Sequence, residues 1–183
     1  SKKMANNLPF LTSFIPNALR RDYAKAENAA FNTVLAAAAT ASTEIITGKN
    51  KIEMLINEIA KQENLDFPVT AIVLRPTDYY DILKTEKSVG AGYGLPGVVT
   101  QENGVLRING IPLFRATWLA ANKYFVGDWT RVTKVTTEGL SLEFSEVEGT
   151  NFVKNNITAR IEAQVALAVE QPAALIFGDF TAV

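Results

Sequence analysis

The chain has 183 residues, of which 48% are hydrophobic and 20% charged, and its formal net charge is −1. This length and composition suit one or two small domains with a sizeable core and exclude an intrinsically disordered chain. The chain has no basic cluster, which argues against a nucleic-acid-binding domain, and with no Cys or His it lacks disulfides, thiolates and the commonest catalytic base and metal ligand.

The first residues, SKKMANN, have no apolar stretch of the signal-peptide kind, and no apolar run approaches the roughly 18 residues of a membrane span. Absence of an initial Met points to a processed product or an expressed fragment. Asn6 to Pro9 reads as a leading loop, with Leu8, Phe10, Leu11 and Phe14 as apolar anchors before Pro16. From Pro16, the positions Leu19, Tyr23, Ala26, Ala30, Val34 and Ala37 repeat at three and four, while Arg20, Arg21, Lys25 and Glu27 mostly fall off that stripe. The spacing predicts a helix to about Ala39, about 36 Å long, whose alanines let another element approach closely.

Thr40 to Asn50 reads as a polar link. Lys51 to Gln62 is an amphipathic helix with Ile52, Leu55, Ile56 and Ile59 on one face. Asn64 to Pro68 turns the chain, and the near-continuous apolar run Val69 to Leu74 predicts a strand covered on both faces. Pro76 opens a short helix through Leu83, with Asp78 in its first turn, where a carboxylate favours the helix dipole. Ser88 to Gly97 reads as a loop. Its Gly90, Gly92 and Gly94 lack the dinucleotide spacing, follow a helix and precede a strand, so a phosphate cradle is set aside.

Val105 to Ile108 and Ile111 to Phe114 flank Asn109-Gly110, the dipeptide that supplies the positive φ angles of a type I′ hairpin turn. Lys123 to Asp128 and Arg131 to Thr136 are further strands, Glu138-Gly139 a turn, and Leu140 to Phe144 a strand leading to an acidic loop with Glu143, Glu146 and Glu148. No repeat, low-complexity tract or linker is present, so any two domains are interleaved in sequence. From Ile157 to Val169 one parity is apolar throughout: Ile157, Ala159, Ile161, Ala163, Val165, Leu167 and Val169. That is a strand period, and at about 3.3 Å per residue the strand reaches roughly 40 Å. The alternate positions begin polar and turn small at Ala166 and Ala168, so the second face is expected to become buried only late. Pro172 stops the ladder, and a last apolar run, Ala174 to Phe177, ends at Gly178.

Candidate chemistry is sparse. Asp78 and Asp81, three apart on a helix, share a face, and a carboxylate-based hydrolase stays open as an alternative beside the ordinary reading of a solvated acidic helix start. The oxygen ligands show no calcium-loop pattern, so neither a metal nor a cofactor is expected. Asn156-Ile157-Thr158 matches a glycosylation acceptor, which is read as coincidence because a strand is predicted there.

NFVKN followed by the long alternating strand, the proline and a final GDF resembles the C-terminus of tailed-phage major capsid proteins of the Hong Kong ninety-seven type. AENAAF in an alanine-rich helix, AIVLRPTDYYDI, and NGIPLF followed by YFVGDW occur in the same order as in that family, so the likeness spans about Leu8 to Phe180. The resemblance implies an α+β fold with a long spine helix packed along a long antiparallel sheet. That peripheral domain would comprise residues 8–47 and 130–170. A helix-flanked mixed sheet would form an axial domain from residues 48–129 and 171–181. It further implies a structural subunit, not an enzyme, that self-assembles into the pentamers and hexamers of an icosahedral shell. Double-stranded DNA would be enclosed without sequence-specific contact, with portal and scaffolding or protease proteins as further partners. Assembly would occur in the bacterial host cytoplasm, ending in the virion of a phage or prophage; an encapsulin-like nanocompartment shell is the alternative within the fold. In members that crosslink their shells, a lysine from an extended loop attacks an asparagine assisted by a glutamate. The matching positions here are Asn155 and Glu162, and the chain contains no segment upstream of the spine helix that would supply the lysine. Lacking that loop and the N-terminal arm, the 183 residues alone are expected to be a monomer or small oligomer.

Overall fold

The computed structural model describes residues 8–85, 97–145, 147–154 and 156–182, with side chains from residue 14 onward. The described residues divide into two compact units, one drawn from Ser1–Phe31 and Lys134–Leu167, the other from Asn32–Thr133 and Ala168–Val183.

The second unit is built on a seven-stranded mixed sheet. Its strands are β1 (Thr40–Ala41), β2 (Ala71–Leu74), β3 (Val99–Glu102), β4 (Val105–Ile108), β5 (Ile111–Arg115), β6 (Lys123–Gly127) and β9 (Leu175–Asp179), in the order β1-β9-β6-β2-β5-β4-β3. The pairs β1–β9 and β2–β5 are parallel; β2–β6, β6–β9, β3–β4 and β4–β5 are antiparallel. Helices α2 (Lys51–Asn64) and α3 (Pro76–Leu83) pack on one face. There Ile52, Leu55, Ile59, Tyr79 and Ile82 join Ile72, Leu74, Leu106, Tyr124 and Val126 in one core. The pleat turns Phe125 to the other face, where its ring meets Trp118, Trp129 and Phe177. All four residues of β2 are buried, as its unbroken apolar run predicts, although the strand begins at Ala71 and not at Val69. Asn50 caps α2 in a reciprocal capping box with Glu53.

Both turns of the β3–β4–β5 meander use Asn-Gly. Asn109 and Gly110 have φ of 50° and 83°, and Asn103 and Gly104 have 51° and 77°, so the second dipeptide makes the β3–β4 hairpin in the same way. Most of the Ser88 to Gly97 loop lies outside the described residues. The expected polar link after the first helix contains β1, whose two residues pair with Ile176 and Phe177 and are too few for any period to reveal.

Helix α1 (Leu8–Ala38), most of which belongs to the first unit, starts eight residues before the expected Pro16. Pro9 occupies the first turn, where its missing N–H costs nothing, and Pro16 is carried inside the helix. The stripe is also rotated from the expected one. Tyr23, Glu27 and Phe31 are half-buried, whereas Ala26 and Ala30 are exposed. The cause is polar: Tyr23 donates to Glu27 at 3.1 Å, Lys134 pairs with Glu27 at 2.8 Å, and the same ammonium lies 5.5 Å from the Phe31 ring centre.

Lys134 lies in β7 (Val132–Ser145), which pairs with β8 (Thr158–Val169) in a two-stranded sheet. Arg160 meets Glu143 while Ser141 donates to the Glu162 carbonyl, so the two chains run antiparallel. The turn expected at Glu138-Gly139 does not form; β7 passes straight through, because a twelve-residue partner strand needs a continuous ladder. The apolar parity of β8 is half-buried, not buried, and Ala166 and Ala168 are exposed. A two-stranded sheet leaves too little covering structure to enclose either face. A one-turn helix, α4 (Asn151–Lys154), joins the strands.

Candidate functional site

Of the two residues matched to crosslinking chemistry, Glu162 lies in β8. Asn155 lies outside the described residues. Glu162 is half-exposed and pairs with Arg160 at 3.1 Å; Arg160 also reaches Glu143 at 2.8 Å. Glu143 and Glu162 together hold the Arg160 guanidinium above its ordinary value, with the Glu143 hydrogen bond the largest cause. Next to this ladder a shallow hollow of about 200 Å³ is lined by Glu143, Phe144, Ser145, Glu148, Thr158 and Arg160. Asn151 fixes α4 beside it, donating to Thr158 Oγ1 at 2.6 Å and to the Ser145 carbonyl at 3.4 Å. Glu162 therefore stands as one member of an exposed charge ladder.

Asp78 departs from the ordinary expectation of a solvated helix start. Its side chain is 2% exposed, with Lys51 Nζ 2.7 Å from Oδ1 and the Asn122 N–H donating to Oδ2 at 2.9 Å. Asp81, half-exposed, takes the same ammonium at 3.0 Å and lies below the ordinary carboxylate range, chiefly through that hydrogen bond. Burial alone would lower the Lys51 pKa, but the hydrogen bonds it donates to Asp78 and Asp81 outweigh it and hold the ammonium above its ordinary value. The pair closes α2 onto α3 and the β5–β6 connection. A general acid of the kind a hydrolase uses needs a raised carboxyl pKa, the opposite of what Asp81 has.

A second polar cluster went unread in the sequence. Glu58, fully buried on α2, accepts from Ser42 Oγ and from the Tyr124 hydroxyl, the latter at 3.3 Å, with Lys61 3.6 Å from its other oxygen. Burial, opposed by the Ser42 hydrogen bond and reinforced by Glu58, pushes the Tyr124 hydroxyl far above its usual value. Glu44 gathers Lys49 at 2.6 Å, Lys61 at 2.7 Å and Asn57 at 3.0 Å. Together these contacts strap residues 42–49 onto α2. A signal was available: Leu55, Glu58 and Gln62 follow at three and four, which puts both polar residues on the helix face that packs inward.

The Lys49 hydrogen bond, then those of Lys61 and Asn57, draw the Glu44 carboxyl down from 4.5 to about 2. A carboxylate with a depressed folded pKa stabilises the fold above its unfolded pKa, and that contribution is lost as pH falls towards the folded value. Between about pH 4.5 and 2 the strap should therefore loosen. Thermal melting of Glu44→Gln should show a lower midpoint than the parent at pH 7 and a smaller further drop between pH 5 and 2. Some acid dependence remains in the variant, because Asp179 is also drawn to about 2: burial pushes it up, but Lys123 and Thr181 pull it down further. An unchanged acid slope would show that Glu44 is not stabilised by its partners.

Comparison with known proteins places this architecture. The family model described as the phage capsid family matches residues 1–180. The major capsid protein of Enterobacteria phage HK97 is 26% identical over 196 residues, covering 99% of this chain and 49% of that protein. The chain thus spans about half the length of the curated relative it matches. Among solved structures, one from Mycobacterium phage Che8 aligns with a TM-score of 0.61 at 14% identity, over 94% of this chain and 63% of the other. A virus-like particle from Pyrococcus furiosus aligns at 0.56 and 12% identity, over 85% and 61%. With the α+β architecture, the long helix and the long hairpin in place, the matched span establishes that the chain belongs to the phage capsid family.

Proposed function

We propose that this chain is part of the structural subunit of an icosahedral phage or prophage capsid, which self-assembles into pentamers and hexamers around double-stranded DNA. In this reading α1 and the β7–β8 hairpin serve as the peripheral domain, and the seven-stranded unit as the axial domain. The observation that carries it is the apolar surface left open on the hairpin unit, where Val135, Leu140, Phe144, Val147, Phe152, Val153 and Ile157 are all exposed. A run of this kind on one small unit suits a surface that copies of the protein cover for one another. Capsid geometry needs such heterologous contacts, each of modest strength, because every subunit is held by several neighbours.

The chain's role is structural, and no catalysis is assigned to Asp78 or Asp81, whose oxygens serve Lys51 and the Asn122 N–H. Assembly takes place in the bacterial cytoplasm, with portal and scaffolding or protease proteins as further partners. Asn155 with Glu162 remains the position at which a crosslink from another subunit would form. The fold alone, shared at 12% identity with a virus-like particle from Pyrococcus furiosus, also fits a second reading, an encapsulin-like nanocompartment shell that would hold protein in place of DNA. Sedimentation of the complete gene product, produced with its immediate gene neighbours, tests assembly: a fast-sedimenting particle with nuclease-protected DNA is expected. A particle holding protein and no DNA selects the second reading, and slow sedimentation of folded protein contradicts both.

A further inference from the structure

We propose that the α4 end of the hairpin docks on the outer face of α1 in a second copy of the chain. The inference rests on the assembly reading above and names the contact through which it works. Phe152 and Val153 are 82% and 85% exposed, and Val147 is 80% exposed. They are not loosely displayed: the Asn151 bonds to Thr158 and Ser145, and the backbone bond from Lys154 to Thr150, hold α4 with this patch outward. Its rim is mainly acidic, with Glu143, Glu148 and Glu162 exposed, against Arg160 between Glu143 and Glu162 and Lys154 at the end of α4.

The complementary surface is on α1. Arg21 and Lys25, both exposed, lie on the side of the helix away from Tyr23, Glu27 and Phe31. Their pairs with Asp22, at 3.6 and 3.9 Å with every partner well exposed, are worth little and leave both cations available. These cations carry the charge opposite to that of the acidic rim. One copy cannot make this contact with itself. Lys134, where α1 meets the hairpin, and Ser145, at its far end, are eleven residues apart along β7, which is about 35 Å. Lys25 is only two residues from Glu27 on the helix, about 3 Å along its axis. The acidic apolar end therefore meets the basic face of a neighbour's α1, a heterologous contact that propagates from copy to copy until a surface closes.

The test uses the complete gene product and counts closed shells. Lys25→Glu and Glu148→Lys should each reduce shell yield by at least about tenfold, since like charges then face each other at every repeat, and the double variant should recover most of the parent yield. Melting temperatures of the soluble proteins report folding; if a reversal fails to fold, Phe152→Ser takes its place and should melt like the parent yet lose shells. Single variants that assemble like the parent, or a double variant that does not recover, overturn this contact while leaving the assembly reading intact. A parent protein that forms no shells defeats the assembly reading itself, before any variant is compared.

Discussion

Gly127→Ala is expected to destabilise the chain by about 3 kcal/mol or more, and thermal or urea unfolding of the purified protein would measure it. Gly127 ends β6, in the middle of the sheet, paired with Ala71 on one side and Leu175 on the other. A Cβ there would stand 2.2 Å from the Ala174 carbonyl oxygen and 2.9 Å from Leu175 Cα. Both obstacles are backbone, and the carbonyl already accepts the Asp128 N–H at 2.8 Å, so it cannot retreat without breaking that bond. The Gly127 carbonyl in turn accepts from the Thr70 N–H at 3.1 Å, which ties the start of β2 to the same point. Gly139 supplies the control. Lying in β7 with nothing within 4 Å of the position a Cβ would take and no positive φ, it should accept alanine with a change within about 0.5 kcal/mol. A Gly127→Ala protein as stable as Gly139→Ala would show that the β6–β9 approach is not as close as described.

Asp78→Ala should cost about 2–3 kcal/mol by the same measurement, against less than about 1 kcal/mol for Asp81→Ala. The asymmetry follows from burial. Asp78 is sealed in the core and serves both Lys51 and the Asn122 N–H, so its removal leaves a part-buried N–H unpaired and Lys51 with one partner. The loss stays below that of a fully buried ion pair because Lys51 keeps Asp81 and is itself 23% exposed. Asp81, half in solvent, gives up a contact that water can replace. Equal costs for the two substitutions would remove the structural role assigned to Asp78. A hydrolytic activity lost with either would revive the acid–base reading.

Local signals carried most of the second unit. Pro76 opened α3 and Leu83 ended it; Asn109-Gly110 turned the hairpin; the apolar run before Arg75 became the fully buried strand. Each of these depends on residues within a few positions of one another. What stayed illegible depends on distant partners. Glu27 faces inward because Lys134, 107 residues later, meets it there, and nothing near Glu27 in the sequence hints at that. Gly139 looked like a turn because Glu-Gly often is one, but β8 supplies a ladder that keeps it extended. β1 forms because β9 offers an edge, not because two residues prefer a strand. The same division holds at the candidate sites. Glu162 and its Arg160 partner are two positions apart and could be anticipated, whereas the burial of Glu58 waits on Ser42 and Tyr124 from two other elements.

Electron microscopy of negatively stained particles decides whether the proposed subunit closes a shell. The sample is the complete gene product, purified from cells that also express its neighbouring genes. Closed polyhedral shells of uniform size are the result expected from a capsid subunit. A field of dispersed, folded protein without closed particles would contradict the account.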